Sequence, residues 1–150
     1  MPKSTVAKSP ARPRKTRGPR LGRVLVVEDD PVLSLALDDA LRDAGARDVV
    51  VCPSIASTME ALEADEADAV VIDVHLADRD DGWALAELID QLGPRKPRIV
   101  FSTGSPEDIP PEIAEMGMVF EKPYDPAQLA QELAAGTSAG LFARLRNAIS

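Results

Sequence analysis

The segment Ala69-Val70-Val71-Ile72-Asp73 constrains this chain more than any other. Four apolar residues in a row, three of them β-branched, read as a short strand buried on both faces of a sheet. Such a strand has no reason to end in a carboxylate unless the carboxylate stands at a mouth. In open parallel α/β sheets that mouth lies at the carboxyl ends of the strands, where ligands bind. Asp73 is therefore the first candidate for chemistry. Taken alone, an aspartate past a strand is equally a helix cap or a solvated loop residue, and the rest of the chain has to decide.

The same signature recurs along the sequence. Val24-Leu25-Val26-Val27 predicts a buried strand that stops at Glu28-Asp29-Asp30-Pro31, with Asp30 as N-cap and proline at the first helical position. Leu33, Leu37 and Leu41 keep helical spacing up to a stop near Gly45. Asp48 to Cys52 predicts a strand, and Ile55 to Glu63 a helix with Ile55, Met59 and Leu62 inward. After the Asp73 strand, Gly82 to Leu92 predicts a helix presenting Trp83, Leu85, Leu88 and Ile89, closed by Gly93-Pro94. Arg98 to Ser102 is a further strand, and 106–116 a poor helix interrupted by Pro110 and Pro111. Met118 to Phe120 is the last strand, leading to Glu121-Lys122-Pro123, and a helix runs from about Pro126 to Ala135. A short basic amphipathic segment, Leu141 to Ile149, follows a Gly/Ser/Thr-containing break, so 136–150 forms a C-terminal extension. Strands alternating with helices predict an α/β fold, a doubly wound five-stranded parallel sheet covered on both faces. Right-handed crossovers make 2-1-3-4-5, the flavodoxin-like order, the expected topology.

Composition matters mainly for what it excludes and for the first 22 residues. The net charge of −8 hides an asymmetry. Residues 1–23 hold eight basic residues (Lys3, Lys8, Arg12, Arg14, Lys15, Arg17, Arg20, Arg23) and no acidic one, while the remainder holds nine basic and all 25 acidic residues. Residues 1–22, rich in Pro, Lys, Arg, Ser and Thr, have almost nothing to bury and are expected to form a disordered basic tail before a domain at 23–135. Such an arm can contact nucleic acid weakly, solubilise the chain, or lie against the acidic body; no aromatic interleaves its charges for stacking. A single cysteine, Cys52, excludes an internal disulfide and fits a reducing, cytoplasmic compartment. No apolar run is long enough for a membrane span, and no secretory h-region opens the chain. His75 is the sole histidine, which excludes a His-based zinc cluster and disfavours a Ser/His/Asp triad.

In the expected topology strands one and three are neighbours at the switch point, so Glu28, Asp29 and Asp73 converge on one cleft. Carboxylates this close repel, and the ordinary remedies are proton uptake or a bound cation. Oxygen ligands completed by water suit Mg²⁺, which usually joins carboxylates to a phosphate. Thr103 and Lys122 approach from the other side with a hydroxyl and an ammonium. A carboxylate flanked by metal and cation is a phosphoryl acceptor, with precedent in aspartyl-phosphate chemistry. Each piece has a plainer reading by itself: an acidic run at a helix start is favoured by the helix dipole, and Thr103-Gly104 and Lys122-Pro123 could be turns.

Val-Leu-Val-Val-Glu-Asp-Asp-Pro, Val-Val-Ile-Asp-Val-His-Leu, Phe-Ser-Thr-Gly and Glu-Lys-Pro-Tyr, in this order and spacing, resemble the receiver domain of bacterial two-component response regulators over about residues 22–135. The resemblance implies that Asp73 accepts a phosphoryl group from a histidine kinase or a histidine phosphotransfer protein. It implies Asp29 as a direct Mg²⁺ ligand, Glu28 as a water-mediated one and the His75 carbonyl as a third. Thr103 would swing to the phosphate and Lys122 would pair with it; Asp30 stays a cap. Output would pass to a downstream protein, since no output domain follows residue 150. Ala77 stands where many receivers have proline, and the loop Asp78-Arg79-Asp80-Asp81 looks one residue long. Val119 occupies the usual place of a switch tyrosine or phenylalanine. Phe101-x-Thr103-Gly104 with Lys122-Pro123-Tyr124 is similar to a subgroup of stand-alone receivers, commonest in alphaproteobacteria, that shares this loss. A metal-dependent aspartyl-phosphate phosphohydrolase is the alternative from another class. Such haloacid-dehalogenase-like enzymes carry a second aspartate two residues after the nucleophile, where this chain has His75. A regulator contacting nucleic acid through 1–22 is the third reading, separable by an electrophoretic shift that needs the tail.

Overall fold

The computed structural model describes residues 21–74 and 81–136. In chain order they form β1 (Arg23–Val27), α1 (Pro31–Asp43), β2 (Asp48–Cys52), α2 (Ile55–Ala64), β3 (Ala69–Asp73), α3 (Asp81–Asp90), β4 (Arg98–Thr103), a 3-10 turn (Pro106–Asp108), α4 (Pro111–Ala114), β5 (Gly117–Glu121) and α5 (Pro126–Ala135). The five strands pair in parallel in the order 2-1-3-4-5, the flavodoxin-like sheet expected from the sequence. The central β1 and β3 are buried at every residue, whereas the edge strands β2 and β5 are only partly so. Among the described residues, no helix is long and apolar enough to cross a membrane.

Alternation along the strands divides the core into two layers. Leu25, Val27, Val70, Ile72 and Phe101 pack on one face with Leu85 and Ile89 of α3 and with Ile109 and Ile113. Val24, Val26, Ala69, Val71 and Val100 pack on the other with Leu37 and Leu41 of α1 and Leu129 and Leu133 of α5. Asp73 continues the Ala69–Val71 row and Ser102 the Val100 row, so both belong to the α1/α5 face. Thr103 continues the row of Phe101.

Local chemistry sets the helix starts that frame the site. Asp30 Oδ1 accepts the Val32 N–H at 2.9 Å with Pro31 at the first helical position, and Asp125 Oδ1 accepts the Ala127 N–H at 3.0 Å ahead of α5. Each satisfies a donor that the first turn would otherwise leave unpaired.

Three details depart from expectation. Leu21 and Gly22, ahead of Arg23, already belong to the packed body: Leu21 is buried, and Gly22 (φ +54°) lies so close to the Asp68 carboxylate that a Cβ would collide with it. That carboxylate accepts the Arg23 N–H at 3.0 Å, which ties the chain down before β1 starts. On α3, Leu88 is exposed and Ala86 takes the inward place beside Leu85 and Ile89. The poor helix at 106–116 is two separate turns, because Pro110 holds an extended ψ of 143° between them. Cys52 is buried as expected, and burial pushes its thiol pKa up. The body of the basic tail (1–20), His75 with its loop, and the Leu141–Ile149 segment lie outside the described residues.

Candidate phosphoryl-acceptor site

The carboxyl ends of β1, β3 and β5 bring four charged groups together. Glu28 follows β1, and its backbone N–H bonds Cys52 O at 3.2 Å, extending the β1–β2 pairing by one step. That pairing turns the side chain into the protein, where it is 3% exposed. Glu28 Oε2 accepts the Asp30 N–H at 3.1 Å. Oε1 lies 3.3 Å from Lys122 Nζ as an ion pair, without hydrogen-bond geometry. Asp73, 4% exposed at the end of β3, has Oδ2 3.6 Å from the same ammonium. Asp29 is exposed beside them, and one carboxylate oxygen from each of Glu28, Asp29 and Asp73 falls within 4.8 Å of the others.

Lys122 is delivered by the sheet. Its backbone N–H bonds Thr103 O at 2.7 Å, so the end of β5 is fastened to the end of β4. Lys122-Pro123 is a cis peptide, after which Asp125 caps α5. The Thr103 side chain is fully buried, and its Oγ1 accepts the Ser105 N–H at 3.0 Å.

Electrostatics follow from this crowding. Burial, then the Asp73 charge, push the Glu28 pKa up from 4.5 to about 7 against the opposing pull of the Asp30 N–H and Lys122. For Lys122 burial works against the ammonium, but the Asp73 and Glu28 carboxylates outweigh it and hold the pKa above its usual value. Two buried carboxylates that share the Lys122 ammonium are short of positive charge. Three hard oxygen donors, one of them a buried oxygen with no hydrogen bond among the described residues, fit a divalent ion such as Mg²⁺.

The structure therefore brings together Glu28, Asp29, Asp73 and Lys122, and sets Thr103 at the end of the neighbouring strand. Asp30 serves as a cap, and His75 lies outside the described residues. Two residues had no role assigned from sequence. Ser102, fully buried and in register with Asp73, bonds the Tyr124 hydroxyl at 2.8 Å. Tyr124 packs edge-on against Phe120, with ring centroids 5.8 Å apart, and burial raises its phenol pKa. A polar residue near the end of an otherwise apolar buried strand was the signal for Ser102. Its partner, 22 residues away, left no local sign.

Comparison with known proteins agrees with this geometry. A family model described as the response regulator receiver domain matches residues 24–134. The chain is similar to a CheY-like response regulator receiver domain from Methylobacillus flagellatus, with 27% identity and a TM-score of 0.67 over 77% of this chain and 98% of that one. The response regulatory domain of protein mrkE from Klebsiella pneumoniae is 26% identical with a TM-score of 0.66, over 78% and 96% of the two chains. The PhyR response regulator REC domain of Erythrobacter litoralis is 26% identical with a TM-score of 0.65, over 80% and 90%. No curated protein matches the chain.

Proposed function

The chain belongs to the response regulator receiver family, whose members are phosphoacceptor signalling domains, and from that premise we propose that Asp73 takes up a phosphoryl group from a histidine kinase or a histidine phosphotransfer protein. The observation that carries this reading is the Lys122 ammonium standing 3.3 Å from Glu28 and 3.6 Å from Asp73 at the mouth of the sheet. An Asp73 carboxylate oxygen attacks phosphorus while the bond from phosphorus to the donor imidazole breaks. The imidazole nitrogen keeps the bonding electrons and takes up a proton. Lys122 balances charge on the acyl phosphate that results. Glu28, Asp29 and Asp73, with the His75 carbonyl, would hold Mg²⁺, which when bound neutralises phosphoryl oxygens. Thr103 would turn its hydroxyl to the new phosphoryl group and so inform a downstream protein. Beside Lys122 an open recess lined by Val32, Leu33, Pro123 and Tyr124 offers an apolar wall to the donor. The Phe101-x-Thr103-Gly104 and Lys122-Pro123-Tyr124 pair, with valine at 119, supports placing the chain in the receiver subgroup that lacks the switch ring.

Incubation with acetyl phosphate and Mg²⁺ should add one phosphate per chain, read by intact mass, and Asp73→Asn should abolish it. Labelling that survives in Asp73→Asn, or that ignores a chelator, overturns the assignment.

A further inference from the structure

We propose that Tyr124 is a positioning residue for phosphoryl uptake, its hydroxyl anchoring the Lys122 loop to β4 through Ser102 so that the ammonium stays aimed at Asp73. The inference rests on the phosphoacceptor reading of Asp73 and adds a residue to that site. Ser102 is the β4 residue in register with Asp73 on the same face of the sheet, and it is fully buried. Its hydroxyl meets the Tyr124 hydroxyl at 2.8 Å. Lys122 lies two residues before Tyr124, and its backbone is fixed on the other side by the N–H bond to Thr103 O at 2.7 Å. The loop bearing the ammonium is thus held at two points of one strand, at Thr103 through its own amide and at Ser102 through Tyr124. Between these points a long flexible side chain has to place one nitrogen within reach of two carboxylates, which costs rotamer entropy unless its base is fixed. Phe120 supports the tyrosine edge-on, so the ring is held by packing and the hydroxyl is left to set the anchor.

Tyr124→Phe keeps the ring and removes the hydroxyl. It also strands the buried Ser102 hydroxyl, so the decisive variant is the double Ser102→Ala/Tyr124→Phe, which removes both polar groups and leaves nothing buried unpaired. Two readouts are needed: the rate of Asp73 phosphorylation by acetyl phosphate at saturating Mg²⁺, and the ¹⁵N–¹H signal of the Lys122 ammonium in the unphosphorylated chain, assigned by its loss in Lys122→Met. The expected result is a phosphorylation rate at least about fivefold lower in both variants. The ammonium signal should be broadened or lost in both, while the double variant melts within a few degrees of the parent. Recovery of the parental rate in the double variant would mean that the defect came from an unpaired hydroxyl, and the proposal fails. An unchanged ammonium signal, or a parental rate in Tyr124→Phe, overturns it equally. If the ammonium signal responds as expected but the parent chain is never labelled on Asp73, the phosphoacceptor reading is what fails and the anchoring stands.

Discussion

Lys122 Nζ lies 3.3 Å from Glu28 Oε1, a pairing of a partly exposed ammonium with a carboxylate that is 3% exposed. The lysine also serves Asp73, so its positive charge is divided between two buried acids. Glu28 relieves the shortage by holding its proton up to about pH 7.

That proton makes stability depend on pH with a definite sign. Glu28 has a folded pKa of about 7 against 4.5 without the fold, so the native state binds the extra proton between those values. Its contribution is fully present below 4.5 and is lost as pH rises through 7. In chelator, the melting temperature of the parent should fall from pH 5 to pH 8 relative to Glu28→Gln, whose amide cannot titrate. A tenfold difference in proton affinity between folded and unfolded chains is worth about 1.4 kcal/mol, so the fall should amount to several degrees. A parent and variant with parallel profiles would show that Glu28 is ionised throughout.

Mg²⁺ should compete with the same proton. Its affinity, followed by calorimetry, should rise as pH goes from 6 to 8, and stabilisation by added Mg²⁺ should grow over that range. Asp29→Ala, which removes the exposed carboxylate of the proposed metal site, should weaken binding without lowering the melting temperature of the metal-free chain.

Lys122→Ala and Thr103→Ala should separate two steps. Loss of the ammonium leaves two buried carboxylates facing each other, which Glu28 answers by staying protonated to higher pH. The expected fall in melting temperature is therefore smaller than for a buried pair whose surviving charge cannot be neutralised, while phosphorylation slows markedly. Thr103→Ala should be phosphorylated near the parental rate and should fail in partner binding. If partner binding is unaffected, the signal leaves by another route.

Segment 104–116 should respond to loading. It contains two short turns held to the core through Ile109 and Ile113 and begins at the Thr103 Oγ1–Ser105 N–H bond. Two short turns in place of a continuous helix give it fewer helical hydrogen bonds than the longer helices, the condition under which local opening is easiest. With a beryllofluoride phosphate mimic, amide exchange should slow there by about a few-fold or more, with little change in α1. Equal exchange in both states removes ordering of this segment as the mechanism.

Gly117→Ala tests the edge strand. A Cβ at 117 would run into the Ile99 carbonyl of β4, its register partner. Because the obstacle is backbone, the substitution should cost about 2–3 kcal/mol, read as a lower denaturant midpoint with an unchanged slope.

Strands and helix starts were legible because their causes are local. Val24 to Val27 and Val70 to Ile72 announce buried strands by apolar, β-branched runs, and Asp30-Pro31 carries its own cap chemistry. Alternation of these signals then leaves few topologies, and one of them puts Glu28 and Asp73 on neighbouring strands. The motifs at strand ends could be named for the same reason, since each lies within a few residues.

What tertiary structure alone decided is whatever depends on surroundings contributed from far along the chain. The outward turn of Leu88 follows from what α3 packs against, and the inclusion of Leu21 and Gly22 in the packed body from Asp68, which enters only at the approach to β3. The proton on Glu28 is set by how thoroughly Asp73 and the sheet exclude water from it, and charge and desolvation act through space. Ser102 reads as one polar residue in a strand until Tyr124 is folded onto it from the loop after β5. A sequence carries periodicity and capping residue by residue, but the dielectric around a carboxylate and the partner of a buried hydroxyl exist only once distant segments are packed.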